Sequence, residues 1–301
     1  MNNFWIGVLE QGLLFSIMSL GVYITYKILD FPDLSVDGTF PLGAAVTALC
    51  LMKGINPLLA CVMSFAAGAI GGMVTGILHV KLKITNLLSG ILVMTGLYSI
   101  NLRIMGKSNV PLFGKDTIFS GNIMSLAVIL IFAVISKILL DLFLNTKLGF
   151  MLKAVGDNEE LVTSLAVDTD KIKVLGLMIS NGLVAMSGSI MAQYQGFSDV
   201  GMGAGTVVMA LAAIIMGNSI FKEGSILNGT TLTIIGALIY KASVALALKL
   251  GLPPTDLKLI TSIIVVIALL LNNKKFNFKI GKKSSLGGEN IASNRKSMES
   301  I

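Results

Sequence analysis

Charged side chains are scarce in this sequence. Asp, Glu, Lys and Arg make up 13% of the 301 residues, whereas hydrophobic residues make up 54%. So few polar groups cannot cover the surface of a water-soluble globule of this length. The mean hydropathy of +0.85 leads to the same conclusion. The composition therefore excludes an ordinary soluble domain and indicates a protein that lies in a lipid bilayer.

Histidine and cysteine are almost absent as well. The single histidine, His79, excludes a metal site with several histidine ligands and a Ser-His-Asp triad elsewhere in the chain. Cys50 and Cys61 lack a CxxC spacing and fall in or beside apolar segments, so we expect them to be lipid-facing or packing residues. Gly106–Ser108 resembles the end of a phosphate-binding loop, but Asn101 stands where its first glycine should be. We therefore predict no metal site, no bound cofactor and no catalytic residue in this chain.

Long apolar runs dominate what is present. Hydrocarbon about 30 Å thick requires about 20 apolar residues per helix, and charged breaks divide residues 1–272 into about nine segments, within a range of eight to ten. They are Phe4–Tyr26, Phe40–Met52, Pro57–Leu78, Thr85–Ile104, Ile123–Leu144, Val174–Gln195, Thr206–Met216, Ile226–Leu248 and Pro254–Leu271. The second and seventh are short and could be broken or re-entrant. We predict an all-α, polytopic membrane helix bundle.

Positive charge predicts the orientation, because short loops rich in Lys and Arg remain cytoplasmic. Residues 273–301 carry seven basic and two acidic side chains, a net charge of +5 out of the chain's +7. We expect this tail to be cytoplasmic and disordered. Lys81 and Lys83 mark a second cytoplasmic loop, and the polar stretch 145–173 marks a third. If both short segments cross the membrane, the N-terminus lies outside.

The basic tail suggests two roles and excludes a third. It either attaches to anionic membrane lipids or simply enforces the topology. Nucleic-acid binding does not fit, because only Phe276 and Phe278 interleave with the basic residues and no soluble domain surrounds them.

Small residues recur every four positions in the third segment, at Ser64, Gly68, Gly72 and Gly76. This spacing places them on one stripe of a helix and lets a second backbone approach closely. The stripe is either an intrachain packing face or the seam of a homodimer or heterodimer.

Both short segments follow a polar stretch that contains glycine. The first is residues 30–39, with three aspartates, and the second contains Gly201, Gly203 and Gly205. Transporters commonly build central sites from such interrupted helices, although helix capping and an ordinary loop are alternatives. Polar residues within spans are costly and point to a pathway, unless they bond neighbouring helices or reach the interface. The candidate path residues are Ser35, Asp37, Thr39, Asn101, Asn181, Gln193 and Lys241.

The polar stretch and the span after it read LGFMLKAVGDNEELVTSLAVDTDKIKVLGLMISNGLVAMSGSIMAQYQGF. This segment resembles permease subunits of bacterial ABC importers of the branched-chain amino-acid and ribose type. The stretch DFPDLSVDGTFPLGAAV is similar to the branch paired with binding lipoproteins for aromatic amino acids. The resemblance covers most of residues 5–272.

The resemblance implies a mechanism in which this chain performs no chemistry. Cytoplasmic ABC ATPase subunits would bind ATP and Mg²⁺, an extracytoplasmic lipoprotein would deliver an amino acid or similar small polar solute, and a second permease copy would complete the path. The implied coupling segment comprises Ala154, Val155, Gly156, Asp157, Asn158, Glu159, Glu160, Leu161 and Leu165. An ordinary connecting loop is the alternative for this segment. An ion-coupled secondary transporter and a membrane scaffold or receptor component are the alternatives for the chain.

Overall fold

The computed structural model of the chain describes residues 2–121, 123–220, 228–251, 253 and 256–272. The helices are α1 (Asn2–Tyr23), α2 (Val36–Met52), α3 (Pro57–Val80), α4 (Asn86–Met105), α5 (Ser125–Leu144), α6 (Lys147–Asp157), α7 (Glu159–Ser164), α8 (Thr169–Gln195), α9 (Thr206–Ile220), α10 (Gly229–Lys249) and α11 (Leu257–Asn272). A π-helical turn, Ile24–Ile28, extends α1, and a 3-10 turn, Val200–Gly203, precedes α9. The predicted tail, residues 273–301, lies outside the described residues.

Two short strands, β1 (Asn109–Pro111) and β2 (Phe197–Asp199), are the exceptions to a helical fold in the part of the chain that the structure describes. They pair antiparallel, with Asn109 opposite Asp199 and Pro111 opposite Phe197. The pair fastens the segment after α4 to the segment after α8.

Seven helical stretches within the described ranges are long and apolar enough to cross a membrane. They are Phe4–Ile28, Pro57–Val80, Asn86–Met105, Ser125–Leu144, Thr169–Gln195, Val200–Ser219 and Gly229–Lys249. Val36–Met52 is a shorter apolar helix. The predicted all-α membrane bundle is therefore confirmed, whereas a count of nine crossings stays a prediction.

The seventh predicted segment is longer than the sequence suggested. We expected a short helix over Thr206–Met216, but the 3-10 turn joins it to form a 20-residue stretch, Val200–Ser219. Gly201 and Gly203 thus lie within this turn, and Gly205 lies between the turn and Thr206. We had expected the three glycines only to interrupt the helix.

Helix α8 forms the centre of the bundle. It packs against α1, α2 and α3, and 72% of the residues in an apolar 18-residue stretch of α8 are buried. The stripe on α3 faces it: a Cβ added to Gly68 or Gly72 would overlap the carbonyl oxygens of Asn181 and Leu177, respectively. Glycine is therefore needed for this close approach. The stripe packs within the chain, which was one of the two roles expected for it.

The other two members of the stripe extend the same contact. Gly76 lies against Val174 at the start of α8. Ser64 faces α2, and its hydroxyl donates to the carbonyl oxygen of Gly43 at 3.0 Å. One face of α3 therefore holds both α8 and α2.

Helix α2 begins at Val36, four residues before the Phe40 that hydropathy alone indicated. The Asp33 carboxylate accepts from the backbone N–H of Ser35 at 2.8 Å and so satisfies a donor at the helix start. The segment between α1 and α2 is therefore a helix break in which Phe31, Asp33 and Ser35 are buried, and it positions the polar side chains described next.

Candidate translocation path and coupling segment

Four polar side chains form a cluster where α2 begins against α8. We call Asp33, Ser35, Thr39 and Asn181 the polar cluster; each is at most 3% exposed. The Asp33 carboxylate accepts from the Ser35 hydroxyl and from Asn181 Nδ2, both at 2.8 Å. Thr39 Oγ1 lies 2.7 Å from Asn181 Oδ1 and donates to it. The cluster thus joins the break before α2 to the middle of α8.

The bonds of the cluster are closely matched to its donors and acceptors. Asn181 Nδ2 also donates to the carbonyl oxygen of Leu177 at 3.1 Å, so both of its protons are used. Because a buried polar group without a partner costs about 1–3 kcal/mol, the full set of bonds makes a carboxylate tolerable at this depth. Ser35, Thr39 and Asn181 were predicted as path residues, and the structure brings them together.

Asp37 caps a different helix from the one that contains it. Its Oδ1 accepts from the backbone N–H of Val207 at 2.8 Å and from the Thr206 hydroxyl at 2.9 Å. Its Oδ2 accepts from the backbone N–H of Gly205 at 2.9 Å. A carboxylate at a helix N-terminus pairs with unsatisfied N–H groups and with the helix dipole. Asp37 therefore fixes the start of α9 against α2.

A cavity of about 370 Å³ adjoins this cap. Asp37 and Pro41 of α2, Met94, Tyr98 and Asn101 of α4, and Gly201 before α9 are among its lining residues. Asn101 is fully buried, and its Nδ2 donates to the carbonyl oxygen of Gly38 at 3.1 Å. Two of the predicted path residues, Asp37 and Asn101, therefore share one cavity.

The remaining two predicted path residues are bonded elsewhere. Gln193 lies 12 residues, or about 18 Å, along α8 from Asn181, and its Oε1 accepts from the backbone N–H of Ile118 at 3.0 Å. The Lys241 ammonium of α10 lies 4.3 Å from the centre of the Phe15 ring of α1. The structure therefore gives both side chains contacts that hold helices and loops together.

The predicted coupling segment folds as two short helices with a break at Asn158. Thr146 caps α6 by accepting from the backbone N–H of Gly149 at 3.3 Å, and Asn158 caps α7 by accepting from that of Leu161 at 3.0 Å. Asp168 in turn caps α8. Each helix start has an oxygen acceptor, so three separate helices form over a short stretch of sequence.

An ion pair holds α7 to the beginning of α8. Lys173 Nζ lies 2.6 Å from Glu159 Oε1, and the two side chains are 16% and 46% exposed, respectively. The hydrogen bond from Lys173 lowers the pKa of Glu159 below its ordinary value. Glu159 was predicted to contact a partner, but its carboxylate is already engaged within the chain.

Backbone contact also joins the segment to the end of α1. A Cβ added to Gly156 would overlap the carbonyl oxygen of Ile28 and lie 3.1 Å from Leu29 Cα. Only glycine permits this approach of α6 to the π-helical turn. Helix α6 therefore lies in direct contact with the turn that precedes the helix break and the polar cluster.

The two helices bury one side and expose the other. Val155 and Val162 are each 4% exposed, whereas Leu161 and Leu165 are 59% and 69% exposed. The further exposed members of the predicted segment are Ala154, Asp157, Asn158, Glu159 and Glu160, although the Glu159 carboxylate is paired with Lys173. We call this set, together with the two leucines, the exposed face; it offers apolar and acidic groups to a partner.

Sequence reasoning missed three participants. Asp33 was seen only as one of three aspartates near a helix start, and Lys173 only as a marker of topology. The carbonyl oxygen of Ile28 has no side-chain signal at all. The available hints were the spacing Asp33-Leu34-Ser35, typical of a turn closed by a side chain, and the glycine at position 156.

These features together define a class of protein: a multi-pass α-helical membrane protein with interrupted helices at a buried polar site and a pair of short helices, α6 and α7, between two spans. The chain matches the family model described as branched-chain amino acid transport system / permease component over residues 4–270, and it belongs to that family. The predicted family and the predicted role as the permease subunit of an ABC importer are confirmed.

Individual relatives cover nearly the whole chain. A tyrosine transport system permease protein of Clostridioides difficile (strain R20291) is 54% identical over 274 residues, which cover 91% of this chain and 93% of the relative. The ribose import permease protein RbsC of Escherichia coli (strain K12) is 24% identical and covers 91% of this chain and 86% of its own length.

A solved structure shares the fold. PsaBC from Streptococcus pneumoniae in complex with Fab aligns with a TM-score of 0.55 at 12% identity, over 87% of this chain and 89% of that one. At this identity the likeness shows the arrangement of helices alone.

Proposed function

We propose that this chain imports an amino acid by coupling two partner ATPase subunits, through the segment 154–165, to a path that begins at the polar cluster. The observation that carries the proposal is the attachment of the segment. It contacts α1 at Ile28 and α8 at Lys173, yet its exposed face is free for a partner within the described ranges.

Rigid attachment at two helices suits the transmission of force. When ATP closes a pair of ATPase subunits, a loop would absorb the movement, whereas a helix packed on two spans passes it on. The movement reaches Ile28 first and then the helix break between α1 and α2. Asp33 lies in this break, five residues after Ile28. The polar cluster is therefore the part of the path that the ATPase acts upon first.

The distribution of positive charge supports the orientation that belongs to this proposal. We place the segment 145–173 and the tail 273–301 in the cytoplasm and the N-terminus outside, with nine crossings that include α2 and α11. The domain 1–272 then contains the whole path. The β1–β2 pair lies on the outer side, where a delivering lipoprotein would dock.

The chain itself performs no catalytic step in this proposal. ATP and Mg²⁺ bind to the partner ATPases, and a second copy of this chain completes the path as a homodimer. Membrane lipids surround the bundle. The tyrosine transport protein among the relatives suggests an aromatic amino acid as solute.

Reconstitution tests the proposal by omission. Liposomes receive the permease, its ATPase and its binding lipoprotein, and uptake of radiolabelled tyrosine is followed. We expect uptake only when all three proteins and internal ATP are present. Uptake by the permease alone, driven by an ion gradient, would identify a secondary transporter. No uptake with all partners and a panel of amino acids would indicate a scaffold.

A further inference from the structure

Asn101, one of the residues that line the cavity beside Asp37, carries an unusual acceptor. Asn101 Oδ1 is buried and, within the described residues, has no hydrogen-bond partner. Most buried polar atoms in folded proteins are paired, because leaving one unpaired costs about 1–3 kcal/mol. An unpaired carbonyl oxygen in a membrane helix therefore calls for a donor from outside the chain.

The orientation of this amide is fixed by its other end. Nδ2 donates to the carbonyl oxygen of Gly38 at 3.1 Å. Rotating the amide by half a turn would place Oδ1 against that carbonyl oxygen, and two acceptors repel each other. The free group at position 101 is therefore an acceptor, and its ligand has to be a donor.

Charge in the cavity further selects the donor. Asp37 carries the one carboxylate in the lining, and no Lys or Arg side chain is part of the lining that the structure describes. The N-terminus of α9 offsets about half of this negative charge. The backbone N–H groups of Gly201 and Gly205 are already donated to Asp199 and Asp37. The cavity therefore disfavours an anion.

The walls indicate what carries the donor. Pro41, Met94 and Tyr98 present apolar or aromatic surface to the cavity. Tyr98 is 54% exposed and lies three residues before Asn101, on the same face of α4. A volume of about 370 Å³ is within the range of small-molecule pockets.

We propose that this cavity binds the protonated amino group of the transported solute, with Asn101 Oδ1 as the hydrogen-bond acceptor and Asp37 as the source of negative potential. The apolar walls then contact the rest of the solute. This inference rests on the proposed function, since it assigns one end of the amino acid to a place on its path.

Three small probes test the donor without the binding lipoprotein. Phenethylamine, 2-phenylethanol and phenylacetate share a phenyl group and differ in the polar end. Binding of each radiolabelled probe to the permease–ATPase complex in lipid nanodiscs is measured after subtraction of empty nanodiscs. We expect phenethylamine to bind tightest and phenylacetate not to bind. Equal binding of phenethylamine and 2-phenylethanol would overturn the ammonium assignment.

Two variants separate the acceptor from a structural role. Asn101→Leu removes both amide ends, and Asn101→Asp keeps an acceptor but loses the donor to Gly38. We expect Asn101→Leu to weaken phenethylamine binding on the order of tenfold or more, and Asn101→Asp to weaken it less, because it keeps an acceptor for the ammonium even though its carboxylate is repelled by the Gly38 carbonyl oxygen. Asn86→Ala, at the other end of α4, is the matched control and should be unchanged. Equal losses in the Leu and Asp variants would show that the Gly38 contact matters, and would overturn the proposal.

The same nanodisc preparations are assayed for ATPase activity, and matched liposomes are assayed for ATP-dependent uptake. Uptake without probe binding would overturn the amino-group site and leave the importer function intact. Loss of ATP-dependent uptake in the unmodified complex would overturn the proposed function itself.

Discussion

Replacing Gly156 by alanine should weaken coupling between the ATPase and the path. The added methyl group would overlap the Ile28 carbonyl oxygen, which belongs to a backbone that cannot rotate away. Helix α6 therefore has to move off the π-helical turn. The contact that we propose transmits force from the segment to α1 would be lost or distorted.

The size of the effect follows from the cost of overpacking. Forcing one extra methyl group into a filled contact costs about 1–3 kcal/mol. Each 1.4 kcal/mol is a tenfold change in an equilibrium constant. If α6 exists in a seated and an unseated position, the ratio of seated to unseated molecules should fall by about fivefold to about 150-fold. Uptake per ATP hydrolysed should fall with it.

The assay measures solute uptake and phosphate release in the same liposomes. Gly7→Ala is the matched control, because a Cβ at Gly7 would meet nothing within 4 Å and alanine favours a helix by about 0.5–1 kcal/mol. We expect Gly7→Ala to retain full coupling. Normal uptake per ATP in a folded Gly156→Ala protein would refute the argument that this contact carries force.

Three further predictions concern the Glu159–Lys173 ion pair, the Asp37 cap and the polar cluster. Glu159→Gln should lower the melting temperature slightly at pH 7, since a half-exposed ion pair with Lys173 contributes less than about 1 kcal/mol. Because the hydrogen bond from Lys173 lowers the folded pKa of Glu159, this difference should be fully present above the ordinary value of 4.5 and should decline as the pH falls through the lowered pKa; a difference that grew below pH 4.5 would contradict it. Asp37→Ala should lower the free energy of unfolding by about 0.5–2 kcal/mol in chemical unfolding. Asp37→Asn should lower it less, because the amide keeps one acceptor oxygen. Equal losses of stability in the two variants would show that the charge of Asp37 matters more than its hydrogen bonds. Asn181→Ala should cost about 1–3 kcal/mol by leaving the Asp33 carboxylate short of a donor, and the double variant with Asp33→Ala should recover part of this loss in the same measurement.

The helical elements followed from the sequence because their signals are local. Runs of apolar residues between charged breaks located the spans, and the small-residue stripe on α3 marked its packing face. A helix start within the predicted coupling segment was recognisable for a similar reason, since the acidic and amide residues from Asp157 to Glu160 suit a helix N-terminus. Its division into two helices at Asn158 required only one capping side chain.

The composition of the site did not follow, because its contacts join distant parts of the chain. Asp37 was expected to cap its own helix or to line a path. Instead it caps α9, and one of its partners there, Gly205, lies 168 residues further along the chain. Asn181 and Gln193 look equivalent as amides on one helix, yet one joins the polar cluster and the other bonds a loop. Tertiary packing decides between them, and no periodicity reports it.

A site-specific cross-link tests the central claim, that the exposed face of the segment 154–165 docks on the ATPase. Leu161→Cys places a thiol at a position that is 59% exposed, and Leu250→Cys, where the leucine is 84% exposed, provides a control at the opposite end of the bundle. Cys50 and Cys61 are buried and should not compete. With a thiol-specific photoreactive cross-linker, the account predicts that Leu161→Cys joins the ATPase in a nucleotide-dependent manner and that Leu250→Cys does not. Labelling of Leu161→Cys from outside sealed cells, with no ATPase product, would contradict it.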